Sequence, residues 1–235
     1  MEDLSLLVNG VRYPVVVHIE TRRTVRASIG RKGVTIRIPA HLRAPERRQH
    51  VERLMAWATR RLSKRPVRAY ADGQTLVAWG TRYLLRFSGG SAVTSGARAV
   101  GGEIRIRLAA GMPEDELPGV VAGLLSRCLA REHRGPLERR LEELNRLHFR
   151  VTLGRVTLRH TRTTWGSCSA RGNLGFSTRL LLAPPEIVDY VLVHELAHRI
   201  VPNHSAAFWA LVRRALPDCE ERRRWLRRHG HELEF

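Results

Sequence analysis

The segment PPEIVDYVLVHELAHRIVPNH, residues 184–204, carries the most informative pattern in the chain. Proline is well tolerated in the first turn of a helix, because its missing N–H would be unpaired there anyway. The apolar ridge that ends at Val191 continues at helical spacing into His194 and His198. The pattern therefore predicts a helix over residues 184–201, with both histidines on the side that faces the interior.

The sequence His194-Glu195-Leu196-Ala197-His198 indicates a metal site. Residues four apart on a helix project from the same face, so the imidazoles of His194 and His198 can bind one ion. Glu195 lies beside the first histidine and can reach a metal-bound water. A pair of half-buried, hydrogen-bonded histidines is the structural alternative. We interpret the motif as a catalytic zinc site in which Glu195 is the catalytic carboxylate.

A third ligand is needed, because catalytic zinc sites usually have three protein ligands and one open position. His204 is the first candidate, since Pro202 should end the helix and the turn that follows can bring His204 back towards the metal. A residue near this turn, Asn203 or Ser205, can cap the next helix. On the residues alone, four carboxylates remain as alternatives: Asp189, Asp218, Glu220 and Glu221.

The first part of the chain, residues 1–110, is dominated by strand patterns. Val34–Ile38 alternates cleanly between apolar and polar residues. One segment, 45–64, has helical spacing instead. Ser88–Gly102 is rich in glycine, serine and alanine, which predicts a loop or a wide hairpin connection. No internal repeat is evident in the sequence.

The second part, residues 111–235, is mostly helical in pattern. A long helix is predicted over 113–148, with a break at Gly135-Pro136. Two strands, 151–160 and 173–182, precede the histidine-bearing helix and are predicted to be joined by a loop that carries residues 165–169. We therefore predict an α+β protein with two regions: a β-rich N-terminal region over 1–110 with one helix, and a catalytic region over 111–235.

The chain is strongly basic. Its 235 residues include 41 Lys+Arg and 22 Asp+Glu, which gives a formal net charge of +19, and nearly all the basic residues are arginine. Such a charge favours anionic partners, so nucleic acid is a candidate partner. We favour the simpler explanation of an arginine-rich composition, because the basic residues are spread over the whole chain.

The cysteine content and the hydropathy pattern limit the compartment. Cys128, Cys168 and Cys219 are too few and too scattered for a disulfide framework. No apolar run approaches the ~20 residues that a membrane span needs, and the start of the sequence lacks the pattern of a signal peptide. We expect a cytoplasmic protein that does not cross a membrane.

The sequence resembles the YgjP-like metallopeptidases, which are relatives of the SprT-like and WLM zinc peptidases. The motifs that carry the resemblance are TTWGSCS at 163–169, YVLVHELAH at 190–198, NHS at 203–205, Phe208-Trp209 and Trp225-Leu226. Weaker matches occur in the N-terminal half, in Val34–Pro39 and between Asp72 and Tyr83, so that the resemblance covers most of the chain.

This resemblance implies three zinc ligands, His194, His198 and His204, with Glu195 as the catalytic carboxylate. It also implies a compact gluzincin-type core: a small sheet, the HExxH helix and a following helix. The implied activity is that of a zinc metallopeptidase whose substrate is a protein or peptide. By analogy of fold, strand 173–177 is expected to hold an extended peptide by β-addition.

Three other functions remain open at this stage. One is a metal-dependent nucleotide phosphohydrolase, such as a nucleoside triphosphate pyrophosphatase, although no glycine-rich phosphate loop supports it. Another is a protease that acts on DNA-bound protein. A third is a non-catalytic zinc-stabilised domain, against which Glu195 argues. We interpret Cys168 as a packing residue and Trp165 as a wall of the site or part of the core.

Overall fold

The computed structural model describes residues 4–8, 11–30, 33–63, 69–89 and 93–235, and shows a mixed α+β protein with several small sheets. This confirms the predicted α+β class. The strands are β1 (Ser5–Val8), β2 (Val11–Glu20), β3 (Arg26–Gly30), β4 (Gly33–Pro39), β5 (Thr75–Ala78), β6 (Thr81–Ser88), β7 (Gly96–Val100), β8 (Glu103–Arg107), β9 (Val156–Arg159), β10 (Gly166–Cys168) and β11 (Leu174–Ser177). The helices are α1 (Ala44–Ser63), α2 (Leu117–His148), α3 (Pro185–Ala197), α4 (Ala206–Ala215) and α5 (Cys219–His229).

The chain divides into two compact units. The first comprises Met1–Val67 with Met112–Gly119, and the second comprises Arg68–Gly111 with Val120–Phe235. This division differs from the predicted boundary near residue 110. The physical reason is shared burial, because the inward side chains of β6 and β8 lie in the same apolar core as those of α2 and α3.

The first unit is a four-stranded sheet with one helix packed on it. The strand order is β1-β2-β4-β3, with β2 and β4 parallel. The alternation predicted for Val34–Ile38 is confirmed: Val34, Ile36 and Ile38 point inward and are almost fully buried. They share a core with Ala58 and Leu62 of α1. The apolar face of β4, formed by every second residue, thus packs against the apolar face of α1, which repeats every 3.6 residues.

The second unit contains two sheets. One has the order β5-β6-β8-β7, and the other, with three strands, has the order β10-β11-β9. Within the three-stranded sheet, β11 runs parallel to β9 and antiparallel to β10. The strand predicted over 173–182 is shorter than expected, since a 3-10 helix follows at Thr178–Leu182 and leads into α3.

The two four-stranded sheets repeat one backbone pattern, which our sequence analysis missed. In each sheet a central parallel pair is flanked by one antiparallel strand on either side. Leu6 pairs with Tyr13 in the first sheet, and 70 residues later Leu76 pairs with Tyr83 in the second. A shift of 70 residues also relates the residue pairs of β2 and β4 to those of β6 and β8, and the pairs of β3 and β4 to those of β7 and β8. Leu6, Arg12 and Tyr13 recur as Leu76, Arg82 and Tyr83, but most equivalent positions hold different side chains, so the repeat is clearer in the strand register than in the sequence.

Strand β7 was also missed, because it lies in the segment 88–102 that we predicted as a loop. Its sequence GARAV is poor in the β-branched and aromatic residues that mark strands. Pairing with β8 supplies what propensity does not, since Ala97 and Ala99 lie opposite the buried Ile106 and Ile104.

Helix α2 runs without interruption through Pro136, where we predicted a break. An interior proline costs roughly 3 kcal/mol, because it removes one backbone hydrogen bond and crowds the preceding turn. Leu137 and Leu141 follow it on the buried face and are fully buried. Each such side chain contributes about 1.5–3 kcal/mol on burial, which offsets the cost.

This balance predicts that Pro136→Ala raises the free energy of unfolding by about 1–3 kcal/mol, measured by urea denaturation. Pro118→Ala is the matched control in the same helix. It should change stability by no more than about 0.5 kcal/mol, because the N–H groups of a first turn have no helical partner. Equal effects of the two substitutions would contradict this account of α2.

Candidate metal centre

Helix α3 is apolar on nearly every side and is buried accordingly. Leu192, Val193, Leu196 and Ala197 are all fully buried, although they project in different directions around the helix. The helix ends earlier than predicted, with His198 as its C-cap. Because packing fixes α3 from all sides, the polar side chains near its end project from a rigid support.

The imidazoles of His194, His198 and His204 converge at this end of α3. The Nε2 atoms of His194 and His204 lie 3.1 Å apart. One ligand atom from each of the three residues falls within 4.8 Å of the others. Two ligands at zinc–nitrogen distances of ~2.0–2.1 Å in a tetrahedron would be about 3.3 Å apart. The spacing therefore fits a group that could hold a metal ion.

The ring of Phe208 in α4 contacts all three imidazoles. It is fully buried, and its ring centroid lies 4.9, 4.4 and 4.9 Å from those of His194, His198 and His204. The Nδ1–H of His198 donates to the carbonyl of Val201 at 3.2 Å, which leaves its Nε2 free to bind a metal. Packing and this hydrogen bond orient the donor set.

The turn between α3 and α4 brings His204 to the group, as the position of Pro202 suggested. In this turn the N–H of Ser205 donates to the side-chain oxygen of Asn203 at 3.2 Å. Ser205 is the N-cap of α4, although its own side chain makes no capping bond. The local polar contacts therefore set the direction of α4, and α4 in turn positions Phe208.

The alternative ligands that the sequence left open take part in other interactions. Asp189 receives two hydrogen bonds from Arg140 of α2, at 3.0 and 2.6 Å, and this ion pair raises the pKa of the arginine. The other pairs are Asp218 with Arg222 at 2.9 Å and Glu220 with Arg223 at 3.6 Å. Glu221 is exposed. Within the described ranges, the group that could hold a metal ion consists of the three histidines.

Burial sets the charge state of these side chains. It lowers the pKa of His194 to about 3, with further lowering by His198, His204 and Arg223, and it also lowers the pKa of His198. Both imidazoles are thus neutral near pH 7, the form that has a free lone pair for a metal. Burial raises the pKa of Glu195, which is 5% exposed, to about 7.

Gly166 of β10 is a site residue whose role the sequence did not reveal. A Cβ built on it would lie 2.7 Å from the carboxyl carbon of Glu195. Only glycine therefore allows the carboxylate to pack against the strand. The motif TTWGSCS drew attention to this position, but nothing in the sequence indicated that its neighbour is Glu195.

Trp165, which directly precedes β10, is held by contacts with Arg179 and Gly230. Its ring lies under the guanidinium of Arg179 at 4.4 Å, and a Cβ on Gly230 would be 2.8 Å from the ring. Arg179 is itself buried; it donates to the carbonyls of Leu233 and Gly230 at 2.7 and 3.0 Å, and pairs with Glu234 at 3.1 Å. Of the two roles predicted for Trp165, these contacts favour a place in the core.

Cys168, at the far end of β10, lies outside the histidine group. Burial raises the pKa of its thiol, and the neighbouring Arg199 only partly opposes that effect. The protonated thiol is a poor nucleophile and a poor metal ligand. These properties agree with the prediction that Cys168 is a packing residue.

The chain is similar to one family of known proteins. A family model described as "YgjP-like, metallopeptidase domain" matches residues 23–229. Among solved structures, the metallopeptidase zymogen abylysin of Pyrococcus abyssi matches at 24% identity with a TM-score of 0.36, over 39% of this chain and 93% of that chain. No curated protein matches the chain.

The contact between β10 and Glu195 predicts that Gly166→Ala lowers stability by about 1–3 kcal/mol, because the added methyl group must displace a buried carboxylate. Thermal denaturation measures this effect. Ser167→Ala is the control on the same strand; its side chain is exposed, so it should have little effect. A Gly166→Ala protein as stable as the wild type would contradict the close approach.

Proposed function

The chain belongs to the YgjP-like metallopeptidase family, and we propose that it is a zinc-dependent metallopeptidase of the gluzincin type. In this proposal His194, His198 and His204 hold the ion, and Glu195 is the general base. The observation that carries it is the convergence of three imidazoles at the end of a buried helix, in which the buried Glu195 directly follows His194.

The donor set suits zinc. Three imidazoles leave one of four tetrahedral positions open, as in catalytic rather than structural zinc sites. Among the described residues, no cysteine, carboxylate or further histidine joins the three histidines as a fourth ligand. This argues against a zinc-stabilised domain without activity. When bound, the ion would polarise the target carbonyl and lower the pKa of a coordinated water towards ~7.

Glu195 would handle the protons of the reaction. It follows His194 directly in α3, and its carboxylate lies against the backbone of Gly166. In the proposed reaction this carboxylate accepts a proton from the attacking water and then delivers it to the leaving amine. Burial keeps competing bulk water away from the carboxylate.

The strand expected to bind the peptide must be reassigned. Strand 173–177 was predicted for this role, but β11 is paired on both sides, with β10 and β9, so neither of its edges is free. The edge strand of this sheet next to Glu195 is β10. The carbonyl of Trp165 accepts a hydrogen bond from the N–H of Ser177, and the N–H of Ser169 donates to the carbonyl of Asn173. Because the direction of backbone groups alternates along a strand, the N–H and C=O groups of Gly166 and Cys168 point to the outer edge. We propose that the substrate pairs with this edge.

The alternative function, a metal-dependent nucleotide phosphohydrolase, has less support than a peptidase. A nucleotide phosphohydrolase would share the metal chemistry, but the family to which the chain belongs is one of peptidases. An edge strand beside the metal also suits an extended peptide better than a nucleotide, because its unpaired backbone groups repeat with the spacing of another strand.

The first test concerns the metal. We expect about one zinc per chain, measured by elemental analysis, and loss of tight binding in the His194→Ala/His198→Ala double variant. His204→Ala should weaken zinc strongly in a chelator competition while the fold persists, because His204 is exposed. His231→Ala, outside the group, is the control. Unchanged zinc affinity in His204→Ala would show that another residue is the third ligand.

The second test separates catalysis from metal binding. Glu195→Gln keeps the size of the side chain but cannot accept a proton, so hydrolysis of an unstructured protein should fall by roughly 10²–10⁴-fold at unchanged zinc content. Glu186→Gln, exposed in the first turn of the same helix, should retain activity. A fully active Glu195→Gln enzyme would rule out the proposed base.

A further inference from the structure

The sheet that carries β10 is built from a segment without acidic residues. From Leu144 to Pro185 the sequence contains no aspartate and no glutamate. The same segment contains seven arginines: Arg146, Arg150, Arg155, Arg159, Arg162, Arg171 and Arg179. The segment contributes the three-stranded sheet beside the proposed site, so the basic side chains there have no acidic neighbour along the sequence.

Several of these arginines are available to a ligand. Arg155, Arg159 and Arg171 are exposed, and none forms an ion pair with a described residue. Arg179 is the contrasting case, since it is buried and holds the C-terminal residues in place. An exposed cation without a counter-charge attracts anions at long range, and a cluster of them adds to a local positive potential.

One group of cations lies at the Cys168 end of β10. Arg171 is in the turn from β10 to β11, in which the N–H of Gly172 donates to the carbonyl of Ser169. Arg199 directly follows His198; it packs against Gly172, donates to the carbonyl of Thr152 at 3.3 Å and interacts with the thiol of Cys168. Both residues therefore lie near the Cys168 end of the strand along which the peptide is proposed to pair.

Another cation lies beside the histidines. Arg223 of α5 stacks on Trp209 at 4.4 Å, and Trp209 stacks on His204 with ring centroids 5.9 Å apart. Its ion pair with Glu220 is 3.6 Å long, and the Glu220 side chain is 51% exposed. Exposed ion pairs of this kind stabilise only weakly, so an anionic ligand can replace Glu220.

Resting on the proposed function, we infer that the substrate of this site is an acidic peptide, with aspartate or glutamate flanking the bond that is cleaved. The edge of β10 offers backbone N–H and C=O groups, which a peptide can pair with and a sugar-phosphate chain cannot. Trp165 and Trp209 each have a guanidinium stacked on the ring, that of Arg179 and that of Arg223, so a nucleic acid base would have to displace a cation to stack there.

The test compares hydrolysis of three matched peptides that carry Asp/Glu, Asn/Gln or Lys next to the scissile bond. At low salt we expect kcat/KM for the acidic peptide to exceed that for the amide peptide by about 10-fold, and the ratio to shrink at 0.5 M salt, since exposed charges are screened. Arg171→Glu should reduce this ratio. Arg98→Glu, the same charge change on β7 in the other sheet, should leave it unaltered.

Equal kcat/KM for all three peptides would overturn the inference and leave the proposed function intact. Hydrolysis of none of them by the zinc-loaded protein would overturn the proposed function. Binding to the zinc-loaded Glu195→Gln variant then tests charge selection without turnover, using the fluorescently labelled acidic and amide peptides and a duplex DNA. Tighter binding of the acidic peptide supports the inference; equal peptide affinities, or tighter binding of DNA at the same salt, overturn it.

Discussion

Helix α3 is packed by apolar side chains on nearly all sides, and the candidate metal centre depends on that packing. Burial of each leucine or valine contributes about 1.5–3 kcal/mol, so a helix with so many buried side chains has one well-defined position. That stability allows the helix to hold two imidazoles and a carboxylate at its buried end, where desolvation would otherwise be unfavourable. The same desolvation keeps His194 and His198 neutral, as metal ligands must be.

Precision at the site comes from a second group of contacts. The carboxylate of Glu195 fits against β10 because Gly166 has no side chain, and β10 is held there by Trp165. Trp165 is in turn fixed between Arg179 and Gly230, so residues at the C-terminal end of the chain help to position the strand beside the metal group. Sites of this kind need a supporting layer, because small displacements of a general base carry a large kinetic cost.

The repeated sheet shows how one backbone pattern serves two cores. In the first unit the pattern closes a small core with α1, whereas in the second its equivalent strands join a larger core with α2 and α3. Equivalent strand positions keep their register at 70 residues, although most of their side chains differ. The strands of the sheet next to the proposed site carry no acidic residues, and the exposed Arg155, Arg159 and Arg171 are part of the basis for proposing an acidic substrate.

Local patterns in the sequence were sufficient for α1 to α4, most of the strands and the grouping of His194, His198 and His204, whereas α5 was not predicted. Helical spacing placed His194 and His198 on one face, and Pro202 marked the turn that leads to His204, because these relations span fewer than a dozen residues. Family resemblance added the metallopeptidase assignment. Pattern alone failed at β7, at β10, which was predicted as a loop, and at Pro136. Strand pairing with β8 and β11 and the burial of Leu137 outweigh local propensity at these positions.

Contacts between distant residues were decided only by tertiary structure. These include Glu195 against Gly166, Arg179 over Trp165, and Asp189 engaged by Arg140 rather than free to bind metal. The strand order of the three-stranded sheet was also decided by tertiary structure. It places β11 in the centre, with both edges paired, and β10 at the outside, with one edge unpaired. The physical reason is that local propensity is a property of neighbouring residues, whereas packing partners are selected by the burial of the whole chain.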